Sequence, residues 1–466
     1  MKLNLTLCTL AAVAVLTMTC GCRTSTKLEK VPEPAWYDYE DYFIEKTGIF
    51  SYLPIYHDDI VMLGDEIIDF GEWAEFFQDT CMINRGIMFE GSPHTLYRID
   101  GIAQAAPRKI FVSTGLQDIK RAADDQARTV ADTVIANVKE IFRRAHAISP
   151  ETELYYIGIL ADRQVSDAGA VAVAKANKHI KDEAESSGIF KFIDISNMED
   201  ASGRMEEQYT YDGRSLNGLG YERVAEKVAI YLPTNFQYHN RANDHKYSQI
   251  SPAHHNRVSI FNSLPSETHS VMFLGNSITR RGPWQELLPF LIVSNRGVGG
   301  DVVKGMYDRL DDVIGDQPAA IYIMAGINDL TNPASKVDEV WKEYEKMIAR
   351  IKKELPGTML YVQSTLPVSA ERDSDNLINP KVAELNKYLM AAAEKYDYRY
   401  VDVAGTLSDS NGFLKPENTI DGLHLSADGY FAWTTVLIEK THLLLAGERQ
   451  RAYDRLEELE STQNNQ

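Results

Sequence analysis

Short apolar runs alternate along the chain with longer amphipathic segments. In the second half, four apolar runs predict β-strands that are buried on both faces: Val271–Leu274, Ile321–Ala325, Met359–Gln363 and Tyr400–Val403. Between them, apolar residues recur at three- and four-residue spacing over Val337–Leu355 and Lys381–Tyr396, which predicts two helices. Strands separated by helices predict parallel βαβ units, and hence an α/β fold with three α/β/α layers.

The first half repeats this plan. Its apolar runs are Ile60–Leu63, Ile110–Thr114, Leu154–Ile159 and Phe192–Ile195. Shifting the sequence by 211 positions aligns 63–118 with 274–329 without a gap and gives 15 identities in 56 pairs. The triplet Asn84-Arg85-Gly86, for example, returns as Asn295-Arg296-Gly297. The chain therefore contains two tandem copies of one α/β/α domain with parallel sheets.

The repeat and the composition of the flanking segments predict the domain boundaries. We expect a signal peptide, a polar tether with two prolines, a first copy, a polar linker, a second copy and a polar tail, at 1–22, 23–37, 38–236, 237–264, 265–447 and 448–466. The joint between the copies, counted over 236–270, holds five of the eleven histidines, but their spacing fits no ligand pattern. We therefore predict no metal site and no cofactor.

Composition and charge exclude several classes of protein. Hydrophobic residues make up 44% of the 466 and charged residues 25%, which is typical of soluble globular domains and excludes long disordered or multi-span membrane chains. The net charge of −19 repels phosphate backbones, so nucleic acid is not an expected partner.

After removal of the signal, Cys81 has no evident disulfide partner, so the stability of the fold must come from its hydrophobic core.

The N-terminus has the pattern of an export signal. Lys2 precedes a stretch of sixteen residues, Leu3 to Met18, that are apolar or carry a hydroxyl except for Asn4, and this is shorter than the roughly 20 residues of a membrane span. The following Thr19-Cys20-Gly21-Cys22 resembles the cleavage region of a bacterial lipoprotein, although Thr17 and Thr19 stand where that family usually has Leu or Val. The resemblance implies lipidation of Cys22 or Cys20 and a membrane-anchored protein on the periplasmic or cell-surface side. Plain secretion and an uncleaved anchor remain the alternatives.

Four segments of the second copy carry polar residues that could do chemistry. In chain order they are Gly275-Asn276-Ser277-Ile278-Thr279 after the first strand, the glycine-rich loop Asn295–Asp301, Ala325-Gly326-Ile327-Asn328-Asp329, and Asp421-Gly422-Leu423-His424. Ligands of parallel sheets bind beyond the carboxyl ends of the strands, where these segments fall. A serine hydroxyl needs an adjacent base to act as a nucleophile, and a histidine oriented by a carboxylate supplies one.

Together these segments resemble the SGNH hydrolases, also called GDSL lipases and esterases, and most of all the acetylhydrolase-like branch with an Asn-Arg-Gly-x-Gly-Gly-Asp loop. The resemblance implies a flavodoxin-like fold and a Ser277–His424–Asp421 triad. It also implies an oxyanion hole made of the backbone N–H groups of Ser277 and Gly300 and the side-chain amide of Asn328. One departure is Asn276, where the name motif has Asp.

The first copy lacks this chemistry. Glu66, Phe89, Gln117 and Ser215 stand at the positions of Ser277, Gly300, Asn328 and His424, and only Asp212 matches Asp421. A serine–histidine mechanism cannot operate there. We therefore interpret the first copy as a degenerate pseudo-hydrolase domain that packs against the second copy, shapes its cleft or holds a glycan.

The resemblance and the export signal favour an esterase that removes O-acetyl groups from carbohydrates or other small esters. The alternatives are a lysophospholipase or thioesterase acting on longer acyl chains, and a glycan-binding lipoprotein without activity. Arg280 and Arg281 follow the nucleophile and could hold a carboxylate-bearing substrate such as a sialic or uronic acid, or could simply form local ion pairs.

Overall fold

Two parallel β-sheets form the framework of the protein. The computed structural model describes residues 28–35, 40–233, 251–265 and 270–441. The predicted signal peptide with Cys20 and Cys22, part of the tether and of the linker, and the polar tail lie outside the described residues. Among the helices that are described, none combines the length and the apolar character that crossing a bilayer requires.

Each copy contributes one five-stranded sheet. The strands are β1 Ile60–Gly64, β2 Met82–Gly86, β3 Lys109–Ser113, β4 Glu153–Ile157, β5 Lys191–Ile193, β6 Val271–Gly275, β7 Val293–Gly297, β8 Ala320–Met324, β9 Met359–Gln363 and β10 Arg399–Val401. The spatial orders, β2-β1-β3-β4-β5 and β7-β6-β8-β9-β10, are the same, and all pairs are parallel. Registers also agree, since Gly64 pairs with Gly86 and Gly275 with Gly297. The predicted α/β fold class is confirmed.

Helices flank both sheets. They are α1 Glu40–Tyr52, α2 Glu66–Asp69, α3 Trp73–Phe77, α4 Ser92–Gln104, α5 Leu116–Arg121, α6 Ala127–Ile148, α7 Asp167–Ser187, α8 Gly218–Ala229, α9 Pro252–Ser263, α10 Ser277–Arg281, α11 Trp284–Leu287, α12 Val303–Asp308, α13 Leu310–Asp316, α14 Ile327–Leu330, α15 Val337–Glu354, α16 Asn379–Ala391, α17 Ala404–Leu407 and α18 Ala427–Lys440. Short 3₁₀ turns lie at Ser196–Met198, Glu207–Tyr209 and Pro416–Asn418.

The hydrophobic pattern did not reveal β2 and β7. We expected Asn295-Arg296-Gly297 to belong to a loop, but these residues form the second half of β7, and the loop begins only at Val298. The strand reads Val-Ser-Asn-Arg-Gly and is buried along its whole length. Asn295 and Arg296 bond to Arg280 and Glu75, which are distant in the sequence, and a local pattern cannot show such partners.

The segment interpreted as a linker contains a helix. α9 lies within 237–264, and the shift of 211 that relates the copies relates it to α1. Each of these helices packs against the other copy. Ile49 of α1 and Leu53, just after its end, join the core of the second copy, whereas Val258 and Phe261 of α9 join the core of the first. The N-terminal helices of the two copies are thus exchanged, which extends the interface between the copies.

Two reciprocal ion pairs join the copies. Arg85 donates to both carboxylate oxygens of Glu286, at 2.8 and 2.7 Å. Arg296 donates to Glu75, with 2.8 Å between Nη1 and Oε2. Since Arg296 and Glu286 are the counterparts of Arg85 and Glu75, the interface brings the same two positions together twice. Such isologous contacts are typical of a two-fold dimer, and here one chain contains both halves.

Candidate functional site

The structure brings Ser277, His424 and Asp421 together at the carboxyl end of the second sheet. Ser277 Oγ lies 3.0 Å from His424 Nε2. On the other side of the ring, His424 Nδ1 lies 2.6 Å from Asp421 Oδ2. The second oxygen of Asp421 accepts backbone N–H groups of Leu423 and His424 at 2.9 and 2.7 Å. The carboxylate is therefore fixed by its own loop, and the imidazole is held between it and the hydroxyl.

Electrostatics favours a neutral imidazole and an ionised carboxylate. Burial lowers the pKa of His424 and Arg281 lowers it further, while the hydrogen bond to Asp421 opposes both, and the net shift is downward. Partial burial tends to raise the pKa of Asp421. The hydrogen bonds from the side chain and backbone of His424 outweigh that effect and hold the pKa well below its usual range. A neutral imidazole beside a hydroxyl can accept its proton near neutral pH.

The turn after β6 presents the serine. Ser277 is the first residue of the short helix α10, and Asn276 caps that helix by accepting the backbone N–H of Ile278 at 3.0 Å. Asp65 occupies the corresponding place in the first copy and accepts the N–H of Ile67 at 3.3 Å. The Asn at this position of the motif therefore performs the same capping role, without a buried charge.

The two other residues predicted for the oxyanion hole lie on neighbouring elements, Gly300 in the loop after β7 and Asn328 in the short helix α14. Gly300 is exposed and has φ of +74°, a left-handed conformation that favours glycine. Asn328 Nδ2 donates to the backbone oxygen of Asp301 at 2.8 Å, which ties the amide to that same loop. Asp329 accepts the N–H of Val303 at 3.2 Å and so fixes the far end of the loop.

The two arginines after the nucleophile have separate surroundings. Arg281 pairs with Glu45 of α1, with 2.6 Å between Nη1 and Oε2. The guanidinium of Arg280 lies 4.0 Å above the ring of Phe70 in the first copy. Arg281 therefore already has a carboxylate partner, while Arg280 reaches toward the neighbouring copy.

Sequence reasoning missed two residues near the triad. Glu45 comes from the exchanged helix α1, and burial raises its pKa to about 7, against the effect of Arg281. Arg372 donates to the backbone oxygen of Asp421 at 3.1 Å. No motif includes Arg372. Aligning the two copies further toward their N-termini would have indicated helix α1, which carries Glu45. It would not have indicated that α1 packs against the other copy.

The first copy preserves the arrangement with different side chains. Ser215, at the position of the histidine, donates to Glu66 Oε1 at 2.5 Å. Asp212 Oδ1 accepts the backbone N–H groups of Arg214 and Ser215 at 2.8 and 2.9 Å. Phe89 adopts φ of +66°, close to that of Gly300. The first copy therefore retains the backbone geometry of the site, but it has Ser215 where the second copy has the base His424.

The described residues contain no group of three or more histidine, cysteine or acidic side chains placed to hold a metal ion. Within the same residues, Cys81 is a free cysteine.

Comparison with known proteins identifies the second copy. The chain matches the GDSL-like lipase/acylhydrolase family over residues 273–432. This segment is a GDSL-like lipase/acylhydrolase domain. The range includes Ser277, Asn328, Asp421 and His424, and it leaves the first copy outside.

Several individual proteins are similar. An N-acylneuraminate cytidylyltransferase of Escherichia coli is 27% identical over 232 residues, covering 49% of this chain and 52% of that protein. The chain thus spans about half the length of this curated relative. A GDSL-like lipase of Bacteroides thetaiotaomicron is 24% identical, with a TM-score of 0.34 over 38% of this chain and 92% of that one. An acetyl-xylooligosaccharide esterase of Geobacillus is 19% identical, with a TM-score of 0.32 over 37% and 94%.

Proposed function

We propose that the GDSL-like domain is a serine esterase that removes O-acetyl groups from carbohydrates. The observation that carries the proposal is the continuous chain of hydrogen-bonding contacts from Ser277 through His424 to Asp421. Ester hydrolysis requires a nucleophile, a base and a fixed carboxylate in this order, and the acylhydrolase family supplies the reaction class.

The proposed reaction has two steps. Ser277 Oγ attacks the ester carbonyl while His424 Nε2 takes the hydroxyl proton. The tetrahedral intermediate collapses to an acyl-enzyme when the sugar oxygen leaves with that proton. Water then attacks the acyl-enzyme, again giving its proton to His424, and acetate leaves as the proton returns to Ser277. Asp421 keeps Nδ1 protonated and stabilises the imidazolium that forms in both steps.

The oxyanion formed in each step needs donors that are already in place. We propose the backbone N–H groups of Ser277 and Gly300 and the side-chain amide of Asn328 for this role. The left-handed conformation of Gly300 and the hydrogen bond from Asn328 to Asp301 support it, because both hold the loop in one arrangement. Preorganised donors stabilise the transition state without reorganising during the reaction.

An acidic sugar is the substrate class that we favour. The E. coli relative is named for N-acylneuraminate, a sugar acid. The alternative, hydrolysis of long acyl chains, would require an extended apolar groove beside the serine. No strongly apolar insertion follows Ser277 or Asn328 in the sequence.

Acetate release from p-nitrophenyl acetate by the purified protein tests the proposal. We expect turnover near neutral pH that falls by several orders of magnitude in Ser277→Ala and His424→Ala. Ser294→Ala, which removes another buried hydroxyl of the same domain, is the matched control and should stay active. A fully active His424→Ala variant would refute the triad. Comparing acetate, butyrate and octanoate esters then separates deacetylation from the lipase alternative, which would favour octanoate.

A further inference from the structure

The degenerate site of the first copy opens into a cavity of about 220 Å³. One water molecule occupies roughly 30 Å³ in the liquid, so this space is large enough for a small organic ligand. Its walls come from three parts of the chain. The first copy contributes Glu66, Phe89 and Arg214, the exchanged helix α9 contributes Asn256, and the second copy contributes Arg280.

The arginines around this cavity differ in whether they have direct ion-pair partners. Most buried arginines at the junction between the copies have carboxylate partners: Arg85 with Glu286, Arg257 with Glu72, Arg281 with Glu45 and Arg296 with Glu75. For Arg214 and Arg280, the described part of the chain offers no carboxylate at salt-bridge distance. Glu66 and Asp212 also line the cavity, but neither lies within salt-bridge distance of these two arginines. In a protein with a net charge of −19, two cations placed in this way indicate a site for an anion.

The surroundings of these cations also restrict the anion. The guanidinium of Arg280 stacks over Phe70 at 4.0 Å, and that of Arg214 lies 5.8 Å from the ring of Phe89. Planar guanidinium groups held in this way suit a carboxylate, which they can bind through two parallel hydrogen bonds. Glu66 lies in the same cavity. When Glu66 is ionised, its negative charge repels a dianion such as phosphate more strongly than it repels a single carboxylate.

The remaining polar groups suit hydroxyls. Ser215 holds one oxygen of Glu66, while Oε2 of Glu66 has no hydrogen bond to any residue that the structure describes. A carboxylate accepts hydrogen bonds from ligand hydroxyls, and Phe89 offers an apolar surface to the carbon face of a ring. The cavity therefore combines the groups that recognise a carboxylate, hydroxyls and a small apolar face.

We propose that the first copy binds a small hydroxylated carboxylate of the sugar-acid class, held by Arg214 and Arg280 and by Glu66. This site is separate from the triad and does not depend on ester hydrolysis. Arg280 also connects it with the second copy, since its Nη1 lies 3.5 Å from where a Cβ of Gly299 would be. A bound carboxylate would therefore contact a side chain that lies beside Gly299.

Isothermal titration of the full chain carrying Ser277→Ala, with N-acetylneuraminate and D-glucuronate as probes, tests the proposal. We expect saturable binding of at least one sugar acid and no comparable binding of the neutral methyl glucoside. Adding Arg214→Gln should weaken binding at least tenfold, and Glu66→Gln should weaken it less. Adding His424→Ala, which changes only the triad of the second copy, should leave binding unchanged.

Each other outcome overturns the proposal. Binding that is lost with His424→Ala but kept with Arg214→Gln would place the ligand at the triad. Equal affinity for inorganic phosphate would show that only an anion is recognised and not a sugar acid. If neither sugar acid bound at millimolar concentration, the proposed site would be refuted. Arg214 is exposed, so its replacement should not prevent folding, and an unchanged melting temperature checks this.

Discussion

Arg296 of the second copy is bound by Glu75 of the first. The two side chains are buried, with 2.8 Å between Nη1 and Oε2, and Arg296 also meets Asp316 at 3.1 Å. Neighbouring Asn295 donates its backbone N–H to the same Glu75 at 3.1 Å. The Asn-Arg-Gly triplet that recurs in both copies thus joins the copies to each other. The triplet, which ends strand β7, is therefore an interface element.

Replacing Arg296 with alanine should destabilise the protein strongly. The substitution leaves Glu75 and Asp316 buried without their cation, a change that typically costs about 3–5 kcal/mol. Chemical denaturation would measure it. Lys342→Ala is the matched control, because Lys342 pairs with Asp338 on the exposed surface of α15 and should cost about 0.5 kcal/mol or less. Equal effects of the two variants would contradict the structural role of Arg296.

Arg281 should control the pH dependence of turnover. Its charge lowers the pKa of His424, so the protonated, inactive imidazole is disfavoured. In Arg281→Gln this effect disappears, the pKa of His424 rises, and the acidic limb of kcat/KM should move to higher pH. The measurement is the pH profile for p-nitrophenyl acetate, a neutral substrate that needs no cation for binding. A limb that stays in place or moves to lower pH would show that Arg281 does not act on His424.

Asn328→Ala tests the proposed oxyanion hole. Loss of one such donor typically lowers the rate about 10²–10³-fold, equivalent to about 2.7–4 kcal/mol. The loss should appear in kcat, because the oxyanion exists only in the transition state and intermediate. Asn411→Ala, in an exposed turn of the same domain, serves as the comparison and should retain wild-type kcat. A change confined to KM would argue for ground-state binding instead.

Glu66→Gln should leave ester turnover nearly unchanged. Burial raises the pKa of Glu66, the hydrogen bond from Ser215 opposes this rise, and the described first copy places no histidine at the matching position. Glu66 therefore has no base to cooperate with. Steady-state kinetics with p-nitrophenyl acetate would show the result, with Ser277→Ala measured alongside as the inactive reference. A collapse as large as that of Ser277→Ala would mean that the first copy takes part in the reaction.

The resemblance of the N-terminus to a lipoprotein signal leads to a prediction about its cysteines. We expect Cys22→Ser or Cys20→Ser, but not both, to abolish incorporation of a labelled fatty acid and release the protein from membranes, because one sulfur would carry the lipid. Metabolic labelling of cells that express each variant distinguishes them. Label retained in the double variant would exclude a lipid anchor at this place.

The sequence by itself determined the fold class, the repeat and the residues of the candidate site. Buried parallel strands are marked by runs such as Ile321–Ala325, and site residues follow those strands because the strands end at one edge of the sheet. Conversely, β7 was missed, since Val293–Gly297 contains mostly polar residues whose burial depends on partners distant in sequence, including Glu75.

Only the tertiary structure decided how the copies use each other. The exchange of α1 and α9, the pairing of Glu45 with Arg281 and the cavity shared by Arg214 and Arg280 all join residues that are distant in the sequence. Such contacts depend on the packing of whole domains. Hydrophobic periodicity and short motifs record only which residues are near one another along the chain or share an element, so they carry no information about the neighbouring copy.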